Sequence, residues 1–179
     1  METSLTTLGN TSRQRKEKWE MNVICFGDSN TYGYDPRSYL GGRYAADSRW
    51  VDILAEETGW TVRNLGENGR EIPTSVPDFP ADTDLLIIML GTNDLLQGRS
   101  PEQAVKRLDR FLSGISLDRS KILVIAPPPM TLGAWVPSQQ LIDDSHAFVW
   151  LCQALAEHLD AGKSARTFDC SDDDKALIA

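Results

Sequence analysis

The sequence predicts an α/β protein with a doubly wound parallel sheet of five strands and helices on both faces. Three observations carry this. Short apolar runs alternate with helical patterns; several runs are nearly continuous in apolar residues; and three of them end in loops rich in glycine and asparagine. Strands buried on both faces show such unbroken runs, and regular alternation with helices is the mark of βαβ units.

The elements follow in order. Residues 1–20 are polar, lack apolar periodicity and carry a basic stretch from Arg13 to Lys18. They read as a loose extension ahead of a domain spanning 21–170. The first strand covers 23–26. Asp47 or Ser48 then caps a helix that buries Trp50, Val51, Ile53 and Leu54, and Gly59 ends it in the left-handed conformation. Strands at 61–65 and 85–90 come next. Ser100, Pro101 and Gln103 read as a capping box with proline at the first helical position, ahead of Ala104, Val105, Leu108, Phe111 and Leu112. The fourth strand covers 122–126 and ends stiffly at Pro127-Pro128-Pro129. A helix over roughly 142–159 sets Phe148, Leu151, Leu155 and Leu159 on one side. A weak fifth strand falls at 166–169, and 171–179 form an acidic tail.

Composition narrows the classes of function. The net charge of −8 opposes binding to nucleic acid phosphates and to anionic membrane surfaces. No apolar run approaches the ~18 residues of a membrane span, and no apolar stretch follows the early basic residues as a secretory leader requires. Cys25, Cys152 and Cys170 are odd in number and form no C-x-x-C pair. That favours reduced thiols in a cytoplasmic protein over disulfides or a zinc site.

In such a sheet, sites form beyond the carboxyl ends of the strands. The first strand leads into Gly27-Asp28-Ser29-Asn30, the second into Asn64-Leu65-Gly66-Glu67-Asn68-Gly69, and the third into Gly91-Thr92-Asn93-Asp94. Singly, each is an ordinary turn. Together they suit acyl transfer. Ser29 would attack an ester carbonyl. The N–H groups of Ser29 and Gly66, with the Asn93 carboxamide, would hold the oxyanion, and glycine at position 66 would leave the substrate uncrowded.

The segments FGDSNTYGYDP, NLGENGR, DLLIIMLGTND and KILVIAPPPM, with the Arg49-Trp50 pair, resemble the GDSL/SGNH hydrolases, and among them the arylesterase and acyltransferase branch. The resemblance spans roughly residues 21–170 in order. It implies a flavodoxin-like three-layer α/β/α sandwich, cleavage of small acetyl-like esters with Ser29, Gly66 and Asn93 at the site, and no metal or organic cofactor. No G-x-S-x-G elbow is present, which argues against the α/β-hydrolase fold.

The family also supplies a D-x-x-H after the fifth strand, followed by a last helix. Here no histidine follows His158, so the catalytic base and the last helix are expected to be missing. One D-x-x-H occurs at Asp143 to His146, ahead of its place in the family's order. It is read as an exposed pair on the third long helix, and His158 as a partly exposed helix residue. Two other readings stand beside the esterase: a non-catalytic ester- or carbohydrate-binding protein with the same pocket, and a flavin-binding flavodoxin-like protein.

Overall fold

A computed structural model describes residues 20–38, 40–160 and 166–168, with 158–160 and 166–168 described as backbone. The expectations for the extension, the acidic tail, the last helix and the His158 side chain lie outside the described residues.

Five parallel strands form one sheet in the order β2-β1-β3-β4-β5: β1 is Asn22–Gly27, β2 Thr61–Gly66, β3 Leu85–Met89, β4 Ile122–Ile125 and β5 Arg166–Phe168. The chain runs outward from β1 to β2 and returns across β1 to β3, so the strand order reverses beside β1. A ligand crevice is expected there, where the loops diverge to opposite sides.

The two faces follow from strand alternation. Ile24 and Phe26 of β1, with Leu86 and Ile88 of β3, join the main core. That core is closed by helix α4, Pro101–Ser113, through Ala104, Leu108, Phe111 and Leu112, and by α5, Gln139–Asp160, through Phe148 and Cys152. Val23, Cys25 and Ile87 point the other way and pack on Val51 of α2, Trp50–Thr58. The result is the expected three-layer sandwich. On the α2 side, Leu123 and Ile125 of β4 stay half-buried, whereas Ile122 and Val124 on the opposite face are buried. No helix among the described residues is long and apolar enough to cross a membrane.

The α4 capping box forms as expected, and Gly59 closes α2 at φ 69°. Two helix starts differ. Asp47 and Ser48 cap nothing; they sit in a 3₁₀ turn, and α2 begins at Trp50 behind Arg49, without a side-chain cap. The α5 helix begins three residues before the expected Ile142, because Ser138 stands after Pro137 as a cap whose Oγ accepts from the Leu141 N–H at 3.4 Å. Two short helices, α1 at Ser29–Tyr32 and α3 at Thr92–Leu96, went unread because each is little more than one turn.

Candidate active site

Ser29 is carried on α1, a single turn whose carbonyls are claimed from outside. Trp50 Nε1 donates to the Asn30 carbonyl at 3.1 Å, Asn64 Nδ2 to that of Thr31 at 2.8 Å, and Arg43 Nε to that of Tyr32 at 2.7 Å. Gly33, at φ 81°, turns the chain so that its N–H and that of Tyr34 both reach the Ser29 carbonyl. A helix this short has no stability of its own, so these partners fix the serine. Before it, Asp28 caps the turn by accepting the Asn30 N–H at 2.9 Å. Asp28 is fully buried, and burial pushes its carboxyl up to about 6 against the pull of that hydrogen bond.

The loop after β2 holds two glycines with different duties. A Cβ on Gly66 would stand 2.1 Å from the Tyr32 backbone nitrogen, so this glycine lets β2 lie flush against α1. Its N–H is already committed to Asn64 Oδ1 at 2.9 Å, and it does not line the cavity beside Ser29. The expectation that Gly66 donates to an oxyanion is therefore corrected. Gly69 occupies that wall instead. It is the third residue of a turn closed by the Arg70 N–H on the Glu67 carbonyl at 3.2 Å, and its φ is 76°. No backbone carbonyl among the described residues accepts from the Gly69 N–H. The Asn68-Gly69 dipeptide was the available signal, since Asn-Gly marks a turn that needs positive φ.

The third loop grips the second. Asn93 Nδ2 donates to the Arg70 carbonyl at 3.0 Å, and the next residue, buried Asp94, accepts the Ile72 N–H at 2.8 Å. Burial raises the Asp94 carboxyl, while the Ile72 N–H and the Arg107 guanidinium, 3.0 Å away, oppose the rise. The Arg70 guanidinium lies 4.3 Å over the Phe26 ring and donates to the carbonyls of Gly27, at 2.9 Å, and Leu65. One residue thus ties the ends of β1 and β2 to the loop that presents Gly69.

These loops and the 130–136 segment enclose a cavity of about 620 Å³ with Ser29, Gly69 and Asn93 on its wall. Of the three expected site residues, Ser29 and Asn93 line this cavity and Gly66 does not. His146 is exposed on α5 and does not line the cavity, and Asp143 accepts from Gln139 Nε2 at 3.0 Å. Cys25 and Cys152 are buried thiols pushed up to about 12 by burial. Among the described residues, no three or more His, Cys, Asp or Glu side chains are grouped to hold a metal ion.

A model of the GDSL-like lipase/acylhydrolase family matches residues 25–175. A carbohydrate acetylesterase family member from Sinorhizobium meliloti is 26% identical, with a TM-score of 0.65 over 83% of this chain and 82% of its own. A candidate arylesterase from Agrobacterium tumefaciens str. C58 is 28% identical, with a TM-score of 0.65 over 84% of this chain and 83% of its own. The aryl esterase of M. smegmatis, 24% identical, shares the fold with a TM-score of 0.65 over 84% of each chain. No curated protein matches the sequence.

Proposed function

The chain belongs to the GDSL-like lipase/acylhydrolase family, and from that premise we propose that its cavity binds small, acetyl-like esters for acyl transfer to Ser29. One observation carries the reading: Ser29, Gly69 and Asn93, delivered by three different strand ends, meet on the wall of one cavity. In the reaction, Ser29 Oγ attacks the ester carbonyl and loses its proton. The tetrahedral oxyanion is held by the N–H groups of Ser29 and Gly69 and by Asn93 Nδ2, which keeps a second hydrogen beyond the one given to Arg70. The alcohol leaves with a proton, and water or a second alcohol releases the acyl group from Ser29. The Sinorhizobium and Agrobacterium relatives, at 26% and 28% identity, support acetyl and aryl esters as the class to try first.

The proton from Ser29 needs an acceptor, and no histidine lines the cavity among the described residues. This favours a second reading, in which the chain binds esters with little or no turnover. Hydrolysis of p-nitrophenyl acetate, read against Ser29→Ala, separates the two. Turnover that persists unchanged in Ser29→Ala, or a fluorophosphonate that labels another residue, would sink the assignment of the nucleophile.

A further inference from the structure

The proposal rests on the reading of the cavity as an ester site and extends it to what the ester carries. An acetyl group fills on the order of 50–100 Å³, two or three waters' worth, against about 620 Å³ available. Most of the space therefore falls to the alcohol part. Arg49 is the one charged residue among the described residues on the wall, and Asp52 neutralises it at 2.7 Å. The cavity offers a neutral alcohol part aromatic neighbours in Tyr34, Tyr44, Trp50 and Trp135.

Trp135 stands apart from the other three. It lines the cavity yet is 74% exposed. An indole left in water is unusual, because it forfeits a large apolar contact area. Its backbone is nevertheless fixed. Gly133 and Val136 exchange reciprocal N–H to carbonyl bonds at 3.1 Å, which places Ala134 and Trp135 at the tip of a closed turn. Val136 packs against the main core, and the Met130 N–H donates to buried Ser145 Oγ at 2.9 Å. Both feet of the loop are anchored while its tip holds an uncovered ring at the mouth. We propose that Trp135 is a ring-binding platform that selects esters whose alcohol part carries a flat-faced ring, aryl or pyranose, over esters of small alkyl alcohols.

Equilibrium binding of uncleavable amide analogues tests this without needing turnover. Acetanilide stands for an aryl acetate, methyl 2-acetamido-2-deoxyglucoside for an acetylated sugar, and N-ethylacetamide for an alkyl acetate. The full chain should bind at least one ring analogue roughly tenfold more tightly than N-ethylacetamide, and Trp135→Ala should erase that advantage while leaving N-ethylacetamide unchanged. Loss confined to one ring analogue identifies the ring. Equal weakening of all three, or no weakening of a ring analogue that binds, overturns the proposal. So does a change in oligomeric state on Trp135→Ala with ring binding intact, which would make the indole a subunit contact. A ring analogue that binds through Trp135 but does not slow fluorophosphonate labelling of Ser29 leaves the platform standing and removes the ester-site reading instead.

Discussion

The Asn93 carboxamide donates to the backbone carbonyl of Arg70 at 3.0 Å, so the third strand's loop holds the second strand's loop by its main chain. The Arg70 side chain completes the tie by donating to the ends of β1 and β2. The position of Gly69 on the cavity wall it shares with Ser29 thus depends on Arg70 from two directions.

Arg70→Ala should cost about 2 kcal/mol or more in unfolding free energy, because the Leu65 carbonyl loses a charged donor and the Gly27 carbonyl is left with the Glu67 N–H at 3.1 Å. Glu67→Ala should cost less than about 0.5 kcal/mol: the Glu67–Arg70 pair is close at 2.6 Å, but Glu67 is 67% exposed and water screens it. Urea unfolding of the two variants checks the ranking. Equal losses would mean that the ion pair, not the carbonyl contacts, holds the loop.

The two loop glycines should fail in different ways. Gly66→Ala drives a Cβ to within 2.1 Å of the Tyr32 nitrogen, a main-chain clash that should cost about 3 kcal/mol or more. Gly69→Ala has open space around it and meets only the strain of a side chain at φ 76°, about 1 kcal/mol. Gly69→Ala should therefore fold and yet slow the labelling of Ser29 by a fluorophosphonate. A folded Gly66→Ala with slowed labelling, beside an unaffected Gly69→Ala, would reinstate Gly66 as the donor.

This pair of residues also shows what the sequence could carry. The five strands, the parallel sheet with helices on both faces and the α4 capping box were legible, because each rests on local periodicity or a local pair such as Ser100 and Gln103. The place of Ser29 and Asn93 at the sheet's carboxyl edge was legible because each lies within a few residues of a strand's end. Choosing between Gly66 and Gly69 was not, because it turns on a backbone approach between β2 and α1, residues more than thirty positions apart. The same holds for the support of α1 by Trp50, Asn64 and Arg43, and for the exposed ring of Trp135 at the cavity mouth.

Asp28 gives the fold a pH dependence with a definite sign. Its carboxyl is raised from 3.8 to about 6, mainly by burial, so the folded state holds the proton more tightly than the unfolded chain. The stability this group contributes is present below pH 3.8 and is lost as the pH rises through about 6. Two pKa units amount to about 3 kcal/mol. Asp28→Asn keeps an oxygen for the Asn30 N–H and removes the titration. Between pH 4 and pH 7.5, unfolding free energies should shift in favour of the variant by up to about 3 kcal/mol. A difference that stays flat across that range would show that Asp28 is already ionised when buried.

The last prediction concerns the proton that Ser29 must lose. The sequence holds two histidines: His146 is exposed on α5 and does not line the cavity, and the His158 side chain lies outside the described residues. Serine triads stripped of their base keep a residual rate on the order of 10³–10⁴ over water, from positioning and the oxyanion hole alone. The 179-residue chain should accordingly cleave p-nitrophenyl acetate slowly, and His146→Ala should leave that rate unchanged. The cavity opens to solvent beside the exposed Trp135, so a diffusible base can reach Ser29. Added imidazole should raise the rate in proportion to its neutral form, after subtraction of the direct cleavage measured with Ser29→Ala. Appending a family-like D-x-x-H segment after Asp169 should raise the rate by orders of magnitude and make added imidazole superfluous. Fast turnover that needs Ser29, ignores His146 and does not respond to imidazole would mean that another group already takes the proton. The missing-base account would then fall, while Ser29 would remain the nucleophile.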